Sequence, residues 1–177
     1  MSPCLSHAKI MTIREATASD LPAIVAIYNE SIPGGMATAD LEPITPTSRE
    51  AWFQEFTPDH RPCWVAEDNG TIIGTVYLRS FYGGRPAYHK TAEISIYLNS
   101  THQGQGLGKI LIKKMIAACP RLEVENLLSF YFAHNTPSRQ LFQDLGFQEC
   151  GHLPGIAEVF GHSRDVIIAH LHLPNRS

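Results

Sequence analysis

The stretch from Thr91 to Lys114, TAEISIYLNSTHQGQGLGKILIKK, decides how the rest of the chain folds. Apolar Ala92, Ile94, Ile96 and Leu98 alternate with Glu93, Ser95 and Tyr97, so a strand with one buried face is expected. Asn99-Ser100 ends it, and Gln103-Gly-Gln-Gly-Leu-Gly108 follows. Beyond the loop, Leu107, Ile110, Leu111, Met115 and Ala118 recur at helical spacing. A glycine-rich loop therefore joins a strand to a helix N-terminus, an arrangement suited to an anion. First-turn amides lack helical partners, the dipole is positive there, and glycines let a phosphate approach the backbone. A dinucleotide fingerprint would need glycine at position 109, which is Lys. A Walker loop would need glycine at 103 and Ser or Thr at 110, which are Gln and Ile. What remains is Gln-x-x-Gly-x-Gly following a strand.

Composition narrows the class of protein. At 177 residues the chain can hold one full core and is short for two. A formal charge of −3 and a pI near 6.3 offer no electrostatic case for nucleic acid or an anionic membrane surface. Cys4, Cys63, Cys119 and Cys150 form no paired spacing, which argues against a disulfide framework and a cysteine zinc site and favours a reducing cytoplasm. No apolar run approaches the ~18 residues of a membrane span, and no signal-peptide core precedes the first strand.

Residues 1–10 read as a loose N-terminal tail and residues 11–177 as a single domain. Met11 opens a strand. A helix capped at Ser19 or Asp20, with Pro22 in its first turn, buries Leu21, Ile24, Val25 and Tyr28. An irregular segment from Met36 to Pro46 precedes a short helix carrying Trp52, Phe53 and Phe56. Cys63–Glu67 and Ile72–Phe81 form a hairpin about Asp68-Asn-Gly70, because Asn-Gly supplies the positive φ of a two-residue turn. After the 105–118 helix, Leu127–Ala133 is an apolar strand, Thr136 caps a further helix ended by Gly146, and strands at about 147–153 and 164–173 close the chain.

With these elements in place, the chain resembles the GNAT acyl-CoA-dependent N-acetyltransferases over roughly residues 11–173, and most closely their phosphinothricin acetyltransferase-like branch. The resemblance is carried by Thr91-x-Glu93-x-Ser95-Ile96-Tyr97 joined to the glycine loop, Tyr28-Asn29, Glu42-Pro43, Arg85-x-x-Tyr88, Asn135-x-x-Ser138 and Leu145-Gly-Phe147. It implies an α/β GNAT (acyl-CoA N-acyltransferase) fold, a mixed twisted central sheet flanked by helices, whose middle strands splay to admit the cofactor. Two stretches depart from the branch: Thr38-Ala39 replaces a Thr-Phe step, and Val159-Phe-Gly-His-Ser163 replaces Lys-Phe-Gly-Arg-Trp.

What the resemblance implies about the site follows residue by residue. Acetyl-CoA would lie on Gln103, Gly104, Gln105, Gly106, Leu107, Gly108 and Lys109, with backbone of Ile96, Tyr97 and Leu98 freed by a splay after Ile96 to bond pantetheine and the thioester oxygen. Asn135 and Ser138 would complete that surface, although an Asn before a capped helix is equally a turn residue. Glu93 is the candidate base, set against the reading of a strand carboxylate paired with Lys90 or Arg85. Arg85 and Tyr88 are the candidates for an acceptor's carboxylate, set against a solvated loop arginine. Phe142 stands where many relatives have a tyrosine that protonates the thiolate, so no general acid is assigned. Nine histidines, His170 and His172 among them, lack a third ligand at metal spacing, and no metal is expected. The expected partner is a small amino-acid-like amine of the phosphinothricin or methionine sulfoximine type, with homodimerisation implied by the family. The alternatives are a protein N-terminus or polyamine as acceptor, or a non-catalytic acyl-CoA sensor.

Overall fold

The computed structural model describes residues 11–174, so the expected tail at 1–10 lies outside the described residues. Seven strands form one sheet in the order β1-β2-β3-β4-β5-β7-β6. They are β1 (Met11–Glu15), β2 (Cys63–Asp68), β3 (Thr71–Ser80), β4 (Thr91–Leu98), β5 (Asn126–Phe132), β6 (Gln148–Val159) and β7 (His162–His172). All neighbours are antiparallel except β4 and β5, the central pair. The mixed sheet expected from the family is thus present.

The helices are α1 (Leu21–Glu30), α2 (Glu50–Phe53), α3 (Leu107–Ala118) and α4 (Thr136–Asp144). The main core lies between the sheet and α3–α4, where Leu111, Ile112 and Met115 meet Val76, Leu78, Ile94 and Leu127, all nearly inaccessible. On the opposite face α1 and α2 cover β2 to β4, and Ile24 packs with Cys63, Val65 and Tyr77 beside Trp52, Phe53 and Phe56. Burying such side chains contributes roughly 1.5–3 kcal/mol each before entropy is counted. Asn69 (φ 51°) and Gly70 (φ 79°) make the expected left-handed hairpin turn between β2 and β3.

Helix starts differ by a few residues from the expected ones. A 3-10 turn at Ala18–Asp20 precedes α1, and its cap is Thr17, whose backbone and hydroxyl both bond the Asp20 carboxylate. Asp20 also receives two bonds from Arg14, so it anchors β1 to the helix start. Tyr28 is half-buried rather than core, and Ile27 takes the buried position. Asn135, not Thr136, caps α4, its side-chain oxygen accepting from the Ser138 amide at 3.1 Å. The last two strands are longer than expected because Phe160 and Gly161, both at positive φ, turn β6 directly into β7.

Candidate active site

Parallel pairing between β4 and β5 covers only Thr91 to Glu93 against Asn126 to Leu128. From Ile94 to Leu98, β4 keeps β3 as its sole partner strand. The splay therefore opens after Glu93, earlier than the expected position after Ile96. Beyond Leu128, β5 stays with β7, pairing on to Phe132–Val166 and through the Ala133 amide to the Asp165 carbonyl, so it diverges from β4 alone. Backbone polar groups of β4 beyond Glu93 face a gap on the β5 side.

The glycine loop lies at the end of that gap. Gly104 and Gly106 hold φ of 71° and 84°, values that L side chains rarely adopt, and a Cβ on either would meet nothing within 4 Å. The first bond of α3 runs from the Ile110 amide to the Gly106 carbonyl, so the amides of Leu107, Gly108 and Lys109 precede it and face the loop mouth. Two glutamines hold the loop from within: Gln103 Nε2 donates to the Leu98 carbonyl and Gln105 Nε2 to the Thr101 carbonyl. Glu30 at the end of α1 accepts from Asn99 and from the Ser100 amide, tying the loop to the opposite layer. Gly108 has a different reason: a Cβ there would press within 3.2 Å of Leu141 and 3.5 Å of Ile96, so glycine lets α3 approach β4 and α4. Open space, left-handed glycines and unbonded first-turn amides suit a pyrophosphate.

Asn135 and Ser138 lie at the start of α4. The Asn135 amide nitrogen donates to the Met36 carbonyl, its oxygen accepts from the Ser138 amide, and the residue is 6% exposed. Its side chain is thus engaged in holding the loop after α1. Phe142 belongs to the main core, stacked parallel on Tyr131 at 5.8 Å.

On the α1–α2 face two cavities adjoin. One, of about 160 Å³, is lined by Tyr28, Arg49, Trp52, Tyr77, Arg79 and Tyr97 with aliphatic residues of α1. The other, of about 370 Å³, is lined by Glu55, Arg61, Arg79, Ser80 and Glu93 among others. Arg79 is common to both. Its partner across β3–β4 is Glu93, and Tyr77 and Thr75 similarly oppose Ser95 and Tyr97. Burial pushes the Glu93 carboxyl above the usual carboxylate range, and Arg79 opposes that shift in part. The alternative pairings for Glu93 are absent: Lys90 bonds Glu125 at 2.6 Å, and the Arg85 guanidinium lies 5.7 Å from the Tyr82 ring centre. Arg85 and Tyr88 line neither cavity.

The irregular segment after α1 forms a roof over the smaller cavity. Tyr28 donates to Asp40 and shares a short hydrogen bond with Thr38, while Asn29 pins Ile44 through both its amide and its carbonyl. Arg49 joins Asp40 at 2.9 Å and lies across the rings of Tyr28 and Trp52, 5.4 and 5.7 Å from their centres. Sequence reading found Tyr28-Asn29 as a motif without its task, and missed Arg49 and Arg79 as cavity residues and Asp40 as the partner of Arg49. Among the described residues no group of three or more His, Cys, Asp or Glu side chains is placed to hold a metal. His170 and His172 both meet the Asn126 side-chain oxygen. No helix among the described residues is long and apolar enough to cross a membrane.

Comparison with known proteins agrees with this geometry. The profile of the acetyltransferase (GNAT) family matches residues 21–147. The chain is 46% identical over 159 residues to the Bacillus subtilis protein named "Putative phosphinothricin acetyltransferase YwnH", covering 89% of this chain and 96% of that one. It is 31% identical to an L-methionine sulfoximine/L-methionine sulfone acetyltransferase of Pseudomonas aeruginosa, over 94% of this chain and 97% of that one. The crystal structure of a GNAT superfamily phosphinothricin acetyltransferase from Sinorhizobium meliloti, solved with acetyl-CoA, superposes with a TM-score of 0.86 at 30% identity, covering 92% of this chain and 88% of that one.

Proposed function

The chain belongs to the acetyltransferase (GNAT) family, and on that premise we propose that it moves the acetyl group of acetyl-CoA to the primary amine of a small amino-acid-like acceptor. The observation that carries the acceptor class is Arg79, which lines both cavities, bonds the exposed Glu55 at 3.4 Å and stands in register with Glu93, the half-buried carboxylate of the larger cavity. Arg79 would bind the acceptor's α-carboxylate through paired N–H groups. Glu93, directly or through a water, would take a proton from the α-ammonium, a task for which burial, by raising its pKa, makes it a stronger base than an exposed carboxylate. Arg85, which lines neither cavity, would not share in this.

Acetyl-CoA supplies the thioester when bound. The first-turn amides of α3, with Gly104 and Gly106, would hold its pyrophosphate, and the unpaired edge of Ile96, Tyr97 and Leu98 its pantetheine arm. The acceptor nitrogen then forms the C–N bond as the C–S bond breaks, and the thiolate leaves without a protein acid, since Phe142 is sealed in the core. The roles of Asn135 and Ser138 are to cap α4 and hold the Met36 carbonyl at the rim. A reducing cytoplasm fits Cys63 and Cys119, which are buried single thiols. A homodimer fits the sheet face around Phe130, 43% exposed and beyond the reach of α1 and α2.

The test is a thiol-release screen with acetyl-CoA over amino acids, methionine sulfone, methionine sulfoximine and phosphinothricin, against polyamines and short peptides. Turnover of amino-acid acceptors is expected. Turnover of polyamines or peptides alone would remove the carboxylate-binding role of Arg79, and no turnover at all would leave the acyl-CoA sensor.

A further inference from the structure

The smaller cavity has an unusual charge arrangement. It is walled by the rings of Tyr28, Trp52, Tyr77 and Tyr97, and among the described residues the cations that line it are Arg49 and Arg79. Arg79 also serves the larger cavity and faces Glu93. Arg49 brings a guanidinium between two aromatic rings, yet its charge is matched by Asp40 at 2.9 Å. Asp40 is itself fixed, accepting the Tyr28 hydroxyl at 2.5 Å and with its own amide bonded to the Thr38 hydroxyl at 3.2 Å. The ion pair therefore lets Arg49 offer the cavity guanidinium donors while adding no net charge of its own.

We propose that Asp40 sets the acceptor's charge class: by neutralising Arg49 it makes the aromatic cavity select amino acids whose side chain is uncharged but accepts hydrogen bonds, and disfavour those with an anionic side chain. This rests on the reading that the site acetylates amino-acid amines, with the acceptor's α-carboxylate on Arg79 and its side chain in the aromatic cavity. An uncharged sulfonyl oxygen can take N–H bonds from Arg49, which has donors beyond the one given to Asp40. A second anion would have to compete with Asp40 for one guanidinium, and like charges at close range repel. Asp40 acts through Arg49 and is in that sense a positioning residue.

The experiment measures kcat/KM for methionine sulfone, neutral in its side chain, and for phosphinothricin, anionic in its side chain, and follows their ratio through a charge cycle. The wild-type ratio should favour methionine sulfone. Asp40→Asn leaves a net positive cavity and should lower the ratio about fivefold, the scale of a partly exposed charge pair. Arg49→Gln leaves a net negative cavity and should raise it by a similar factor. The double variant Asp40→Asn/Arg49→Gln is neutral again and should return the ratio to within about twofold of wild type, with the changes residing mainly in the KM for phosphinothricin. Damage to folding would move both acceptors in the same direction and could not produce opposite shifts in the two single variants. A wild-type ratio at or below one, or a ratio that moves the same way or not at all in both single variants, would overturn the proposal while leaving acetyl transfer to amino acids intact. Turnover of neither acceptor by the wild-type protein would overturn both.

Discussion

The face that Glu93 takes on β4 was legible from the sequence and the cation opposite it was not, for one physical reason. Strand alternation is local, so the parity of Ala92, Ile94 and Ile96 assigns Glu93 to the less buried face without further knowledge. Which cation faces it is a question of register between distant segments. Arg85 and Tyr88 look close along the chain, but they follow a turn through Tyr82, Gly83 and Gly84, all at positive φ, and line neither cavity, while antiparallel pairing brings Arg79 opposite Glu93. Arg79→Ala should accordingly raise the KM for the amino-acid acceptor at least tenfold, the value of a charge-assisted bond, with acetyl-CoA affinity kept, and Arg85→Ala should change neither. Steady-state kinetics of the two variants separate the assignments. Glu93 also has a signature in stability. Because burial raises its pKa in the folded state, its stabilising contribution is present below the unfolded carboxyl pKa and is lost as pH rises through the folded value. Glu93→Gln should therefore melt at a higher temperature than wild type at pH 8, and the difference should vanish at pH 4 or below. Equal melting at both pH values would mean that Glu93 is not desolvated.

At the scale of single elements, the glycine loop and α3 were readable because the glycines are positional. Gly106 caps α3 at φ 84° and Gly104 holds φ 71°, the left-handed conformations that a strand-to-helix anion turn needs. Caps were read less well. Asp20 holds the N-cap position of α1 as expected, though its carboxylate bonds Thr17 and Arg14 and not the helix, whereas Asn135 displaced Thr136 at α4, where its bond to Met36 decides between neighbouring cap residues. Since nothing lies within 4 Å of a Cβ on Gly106, Gly106→Ala should fold at a cost of about 1 kcal/mol from backbone strain alone. Gly106→Glu adds a negative charge at the helix N-terminus and should weaken acetyl-CoA binding by at least tenfold in calorimetry. Equal affinity in Gly106→Glu and wild type would move the pyrophosphate elsewhere.

The whole molecule is organised by the one place where its sheet fails to close. Element order and the resemblance to the family foretold a mixed sheet with splayed central strands, and the splay at Glu93 lies between α3 and α4 on one side and the two cavities on the other. Its position was misjudged by a few residues because it depends on where β5 parts from β4 while staying paired with β7, a register between distant segments. The same architecture leaves Phe130, Ile168 and Leu153 on one sheet face without a helix over them. Sedimentation should find a dimer that Phe130→Glu dissociates, and a wild-type monomer at all concentrations would exclude self-association. The central claim is that Glu93 deprotonates an amine delivered to a thioester held in the splay. Its most direct measurement is single-turnover acetylation of methionine sulfone by wild-type protein and Glu93→Gln, with acetyl-CoA affinity determined for both. A rate lowered at least a hundredfold, with affinity within about twofold, is the predicted result. A variant that acetylates at the wild-type rate would contradict it.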